Sequence, residues 1–278
     1  MQQSIIGVDI GGTSTRVGLF PTLNDPQCAL LAHFPTQPDY ATQLDALTAV
    51  LDLASIGAGI GLAVGARIAR DGGSVAVAPN LRSYEGQPLR DWLATRYRCT
   101  VRLAHDAVCG LLGERQLGVL QGQERCAYLT ISTGTGAAVA QRDQLLSIEI
   151  GHQLLDGNER VCLCGQVGCL ETYTGGRQIA LHEGHPLEEI DDLAFWQDFI
   201  EKLALGLVNL AQLTRIEIVA ISGGIALHRP TLLPHLQARV DARLWGSALR
   251  LVPATLGEDA PLVGAAQLLR NAATVILH

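Results

Sequence analysis

The sequence predicts an α/β protein built from two similar lobes facing each other across a cleft. Three observations lead there. A strand, a glycine turn and two further strands open the chain, the same order returns from Ala127, and a helical pattern with no low-complexity linker lies between them.

Taken in order, Ile5-Ile-Gly-Val-Asp-Ile10 is a short β-type run that stops at Gly11-Gly12-Thr13, a strand entering a tight turn. Arg16–Phe20 and Ala29–Phe34 read as the next two strands of an antiparallel meander, and residues 41–54 carry apolar side chains at helical spacing. The repeat consists of Ala127–Ser132, the turn Thr133-Gly134-Thr135-Gly136, and strands Ala137–Ala140 and Leu145–Ile148. Between the halves, a helix starting near Asp106 and running through Leu111, Leu112 and Leu117 supplies a hinge, so the lobes are expected to be 1–106 and 107–278. Phe195–Leu213 reads as a long amphipathic helix and Ile216–Ile221 as a strand. Pro261–Leu277 reads as a closing helix expected to pack back on the first lobe.

Composition narrows the function. The chain has 278 residues, 48% hydrophobic and 17% charged, with a formal net charge of −7, which describes a soluble, mildly acidic globular protein. No Lys/Arg run offsets that charge, so nucleic acid is not expected as a partner. No segment is long and apolar enough to span a bilayer, and Met1-Gln2-Gln3-Ser4 lacks the features of a secretory signal, so no membrane association and a cytoplasmic location are expected. Of seven cysteines, Cys28, Cys99, Cys109 and Cys126 are scattered through apolar stretches as small hydrophobes, and three cluster.

That cluster is the most specific signal. His152, Cys162, Cys164 and Cys169 offer one imidazole and three thiolates, and Gly165 and Gly168 permit the turns that gather them. The set fits a closed tetrahedral zinc site, structural and not catalytic, because no position is left for water. A redox pair or unconnected thiols would explain neither the histidine nor the glycines.

The turns are less specific. Asp9-Ile10-Gly11-Gly12-Thr13 sets an acid, two glycines and a hydroxyl at a strand end, which suits backbone N–H groups approaching phosphate, and Ser132–Gly136 repeats the arrangement. A plain β-turn accounts for either alone. Neither fits the P-loop or dinucleotide fingerprints. Ser222-Gly223-Gly224 is a third strand-to-glycine junction, where either a flat adenine ring lies close to the backbone or a tight turn leads into a helix.

Together these segments resemble the ROK family of repressors and sugar kinases over nearly the whole chain. Asp9-Ile-Gly-Gly-Thr13 is similar to its first phosphate motif, Glu149-Ile-Gly-His152 to its sugar signature, Cys162–Glu171 to its zinc motif and Ser222-Gly-Gly224 to its adenosine motif. The resemblance implies an actin-like, hexokinase-type fold, ATP with Mg²⁺ as cofactor, structural Zn²⁺, a homodimer, and phosphoryl transfer to a hexose hydroxyl. It implies that Asp9, Gly11, Gly12, Thr13, Thr133, Gly134, Thr135, Gly136, Gly223 and Gly224 meet the nucleotide. It also implies that Gly65, Asn80, His105, Asp106, Glu149, His152 and Glu171 meet the sugar, and that Asp106 is the general base.

Read on residue type and location alone, Asp106 is an N-cap acid in preference to a base, and Asn80 is equally a turn residue and Glu171 an exposed acid after the metal loop. Two departures from the family pattern stand out. His105 takes the place of the usual asparagine, either donating to a sugar hydroxyl in its stead or turning away, and the connection from Ala140 to Glu149 is shorter than in relatives, which would either leave the sugar site more open or weaken activity. The alternative within the family is a sugar-sensing regulator. Its repressors carry an N-terminal helix-turn-helix, for which a first strand at Ile5 leaves no room.

Overall fold

A computed structural model describes residues 4–227, 229, 231–270 and 275–277. The chain forms two compact units. The first comprises 1–121, 143–147 and 259–278, and the second 122–142 and 148–258.

The first unit opens with β1 (Ile5–Ile10), β2 (Ser14–Phe20), β3 (Ala29–Pro35) and α1 (Tyr40–Leu51), followed by β4 (Gly59–Val64) and the short hairpin β5 (Arg67–Ile68) and β6 (Val75–Val77). Helix α2 (Leu89–Tyr97), β7 (Val101–His105) and α3 (Asp106–Leu117) complete this stretch. The sheet order is β3-β2-β1-β4-β7, with β1, β2 and β3 antiparallel as the meander predicts and β4 and β7 added parallel to β1. Every residue of β1 and β4 is buried, as expected for strands covered on both faces.

The second unit contains β8 (Arg125–Ile131) and β9 (Thr135–Gln141). After them β10 (Gln144–Ile148) leads to α4 (Glu171–Thr174), α5 (Gly176–Glu183) and α6 (Leu193–Thr214). Then come β11 (Ile218–Ser222), α7 (Gly224–Leu227), α8 (Leu232–Asp241) and β12 (Arg250–Pro253), before α9 (Ala260–Gln267) and β13 (Val275–Leu277), which belong to the first unit together with all of β10 but Ile148. Strand β8 pairs antiparallel with β9 and parallel with β11, which is parallel to β12. The repeat legible in the sequence is thus a repeat of topology: β9-β8-β11-β12 has the order and senses of β2-β1-β4-β7. The long helix α6 buries Trp196, Phe199, Ile200, Leu203, Leu207 and Leu210 in this unit's core, one apolar stripe at helical spacing.

Two expectations are revised. The 106/107 boundary falls at the start of α3, yet α3 belongs to the first unit because it packs on α9. The closing helix stops at Gln267 rather than Leu277; Val275–Leu277 instead form β13, parallel to β10, and residues 271–274 lie outside the described ones. An apolar run rich in β-branched residues is ambiguous between helix and strand by pattern alone.

Glycine lets α9 approach. A Cβ on Gly264 would lie 1.7 Å from the Cys109 carbonyl oxygen in α3, and one on Gly61 in β4 would lie 1.8 Å from the Ala265 carbonyl oxygen. Both neighbours are backbone and cannot step aside. Gly264→Ala is therefore expected to cost about 3 kcal/mol or more, measurable as a lower urea midpoint or loss of soluble protein.

Candidate phosphate turns, acidic site and metal centre

In the first unit, three parallel strands end side by side, and the predicted residues lie at those ends, where α/β sheets place ligands. Asp9, near the end of β1, sits opposite Arg16 of β2, and Arg16 Nη2 donates to Asp9 Oδ2 at 2.8 Å. The other guanidinium nitrogen donates to Asp259 Oδ1 at 2.8 Å. Burial pushes the Asp9 carboxyl up to about 6 against the opposing pull of Arg16, with Asp106 and Asp259 adding to the rise.

This shift has a signed consequence. A raised carboxyl binds more protons folded than unfolded, so stability falls as pH rises from about 4 to 6 and is level above. Asp9→Asn removes the effect. Its stability relative to the parent is expected to climb by the order of 2–3 kcal/mol over that window, read from urea midpoints at pH 4, 5, 6 and 7. A constant difference would contradict the assignment.

The turn after β1 is held from outside. Gly11 N–H donates to Ser14 O (3.0 Å), Thr36 N–H to Thr13 O (3.0 Å) and Thr36 Oγ1–H to Gly11 O (2.8 Å), while Gly12 and Thr13 stay exposed. Asn80 lies beside this turn, since a Cβ on Gly12 would be 3.7 Å from Asn80 Cβ. Gly65, just past β4, donates its N–H to Ile10 O, and a Cβ there would be 3.3 Å from Asp106 Oδ2 and 3.7 Å from Gly11 Cα. Gly11, Gly12, Gly65, Asn80 and Asp106, remote in sequence, therefore share one locale.

Asp106 opens α3. The Ala107 N–H donates to Asp106 Oδ1 (2.6 Å) and to His105 Nδ1 (3.1 Å), so His105 caps the helix through Nδ1. His105 Nδ1 and Asp106 Oδ1 are 3.0 Å apart.

The second unit has its own cluster. Ser132 N–H donates to Gly134 O, and the first amides of α5, on Gly176 and Arg177, donate to Ser132 O and Thr133 O. Thr135 N–H donates to Glu171 Oε2 at 2.8 Å, and Cβ atoms on Gly134 and Gly151 would meet the same oxygen at 2.8 and 3.2 Å. Glu171 is thus wedged between the 132–136 turn and the one-turn helix Ile150–His152. Glu149, just before it, is exposed. Gly223 follows β11 with φ +93°, and a Cβ there would be 2.3 Å from Ile131 O at the end of β8. Only glycine fits, and Gly223 and Gly224 accordingly stand next to the 132–136 turn.

The predicted metal ligands converge. Donor atoms of His152, Cys162, Cys164 and Cys169 all lie within 4.8 Å of one another. Zn–S bonds of about 2.3 Å in a tetrahedron separate sulfurs by about 3.8 Å. Here Cys164 Sγ and Cys169 Sγ are 3.7 Å apart, and Cys162 Sγ is 3.9 Å from His152 Nδ1. The residues fit zinc. Gly165 and Gly168, at φ +95° and +96°, make the turns, and short β-bridges Leu154–Cys169 and Val161–Val167 tie the loop. Burial, followed by the neighbouring sulfurs, pushes the Cys169 thiol well up, so three thiolates at this spot call for a cation.

Sequence reasoning missed four supporting residues. Arg16 and Asp259 are 243 positions apart, beyond any local pattern. Gln178 of α5 is buried and donates to Cys162 Sγ at 3.1 Å, and buried Asn158 donates to Cys169 O at 3.0 Å. An arginine within the apolar strand β2 was the one available signal.

A ROK family model matches residues 5–272. The chain belongs to the ROK family. Among ROK relatives, the glucokinase of Thermotoga maritima is 27% identical over 311 residues, covering 96% of this chain and 97% of that protein. The xylose repressor of Bacillus subtilis is 27% identical over 230 residues; the match takes in 74% of this chain but 59% of the repressor. A ROK glucokinase from Streptomyces griseus, solved with glucose and AMPPNP, superposes with a TM-score of 0.81 at 24% identity, covering 97% of this chain and all of that one. The ROK fold here is the actin-like ATPase arrangement that the sequence implied. Among the described residues, no helix is long and apolar enough to cross a membrane.

Proposed function

We propose that this chain is a sugar kinase that transfers the ATP γ-phosphoryl group to a hexose hydroxyl, O6 of a glucose-like or N-acetylated hexose. The observation carrying this reading is Asp106: its Oδ1 is engaged by the Ala107 amide, and its Oδ2 faces Gly65 beside the Gly11–Gly12 turn and Asn80. A carboxylate held by one oxygen and open at the other suits a general base, while exposed backbone on a glycine turn suits phosphate.

In this reading Asp106 Oδ2 accepts the proton of the attacking hydroxyl, and Asn80 and Gly65 border the sugar. Glu149, Glu171 and His152 bind further sugar hydroxyls, Glu171 through Oε1 because Oε2 is taken by Thr135. His152 engages zinc through Nδ1 and meets sugar through its other nitrogen. The turns 9–13, 133–136 and 223–224 receive the nucleotide. Mg²⁺ entering with ATP would neutralise phosphate charge, and Asp9 is the residue of the 9–13 turn that would hold it. Catalysis then rests on positioning and electrostatics. A homodimer is part of the proposal.

A second reading, a sugar-binding regulator without turnover, draws on the similarity to xylose repressors. An ADP-coupled assay over a panel of hexoses, N-acetylhexosamines and disaccharides separates the two. Turnover on a hexose supports the kinase. Saturable sugar binding without ADP release on any panel member supports the regulator.

A further inference from the structure

Helix α5 is gripped at both ends. At its start, Gly176 and Arg177 donate their amides to Ser132 O (2.8 Å) and Thr133 O (3.0 Å) of the 132–136 turn. Further along, three of its residues reach the loop that carries the metal ligands. Gln178 Nε2 donates to Cys162 Sγ at 3.1 Å, His182 Nε2 lies 3.1 Å from Val161 O, and Glu183 Oε1 accepts from Arg160 Nη2 at 2.7 Å. The eight-residue helix is therefore a strut between turn and loop. Of the three loop contacts, only that of Gln178 falls on a predicted ligand atom.

Gln178 is 1% exposed, and its Oε1 is buried with no hydrogen-bond partner among the described residues. Stranding an amide oxygen away from water costs free energy that a methionine of similar size would not incur. Turning the amide over does not help, because Oε1 would then face the sulfur and the NH₂ group would be stranded instead. The contact that sets this arrangement is Nε2–H to Cys162 Sγ. A sulfur bound to a cation still accepts a hydrogen bond, and such a donor fixes the direction of the ligand.

We propose that Gln178 is a positioning residue that ties the metal site to nucleotide binding: an ion that fixes Cys162 Sγ fixes the acceptor of Nε2, and the first turn of the same helix then holds Ser132 and Thr133 in place for phosphate. This rests on the reading of Cys162 as a zinc ligand and of the 133–136 turn as a nucleotide contact. The path is separate from that through Glu171, which leaves the loop after Cys169 and reaches Thr135.

Loss of packing must be separated from loss of the tie. Gln178→Met keeps the bulk of the side chain and removes both the donor and the stranded oxygen, so the zinc-saturated variant is expected to melt within about 3 °C of the parent. In competition with a chromophoric chelator it should hold zinc roughly 10- to 100-fold less tightly, the usual effect of removing a group that hydrogen-bonds a metal ligand. With zinc in excess, calorimetric titration should show a non-hydrolysable ATP analogue binding about fivefold or more weakly than to the parent. Sugar affinity should stay within about twofold, because Glu149, Glu171 and the Thr135 contact are untouched.

Parental zinc affinity in Gln178→Met, or parental affinity for the ATP analogue, would overturn the proposal. So would a parent that binds no zinc. A variant whose melting temperature, sugar affinity and nucleotide affinity all fall together would assign Gln178 to packing and overturn it equally. If the parent binds no ATP analogue, the nucleotide reading of the turn fails and the coupling with it, whereas the zinc affinities still decide whether Gln178 supports the metal site.

Discussion

Asp106→Ala is expected to lower kcat for hexose phosphorylation by about 10² to 10⁴, the contribution of a positioned general base, while nucleotide affinity changes less than about threefold. Fold stability should barely move. An acid in the first turn of a helix contributes roughly 0.3–1 kcal/mol, and His105 still caps α3. Coupled ADP release and calorimetric titration with an ATP analogue measure the two quantities. Asp106→Asn sharpens the test, since the amide preserves shape but cannot take the proton. A variant with parental turnover would remove Asp106 from the mechanism.

The second large effect concerns the metal. One zinc per chain is expected by elemental analysis, and Cys164→Ser or prolonged chelation should release it. Because the loop from His152 to Cys169 is otherwise tied by turns and two short bridges, a bound ion would supply much of its order. Losing it should cost on the order of 3–5 kcal/mol, or roughly 10 °C in melting temperature for a chain of this size. The loop should become the first site of protease cleavage. Sugar affinity should fall with it, since Glu171 begins α4 just past Cys169 and supports the 132–136 turn through Thr135. A metal-free protein with the parental melting curve would show that the four ligands do not bind a structural ion.

The parts of this molecule legible in the sequence are those whose physics is local. The metal ligands fall within eighteen residues, and glycines at positive φ mark the turns between them. The β1–β2–β3 meander and the repeat from β8 follow from short apolar runs punctuated by glycine. Strands β4 and β7 were not read, because Gly59–Val64 is apolar throughout and shows no alternation, as befits a strand buried on both faces. What stayed hidden depends on partners remote in sequence. Arg16 bridging Asp9 to Asp259, Gly65 lying against Asp106, and Glu171 under the 132–136 turn are all products of strand order. His105 shows the intermediate case: its departure from the family pattern was visible, but its orientation required the geometry at the head of α3.

The docking of α9 against β1, β4 and α3 governs how the polypeptide matures on the ribosome. Synthesis delivers the five strands of the first sheet early, but the element covering Gly61 and Cys109 emerges only after residue 260 has left the exit tunnel. Nascent chains stalled before that point are expected to resist protease across 148–258 and to be cut within 1–121. The first-made half is thus expected to be the last to mature.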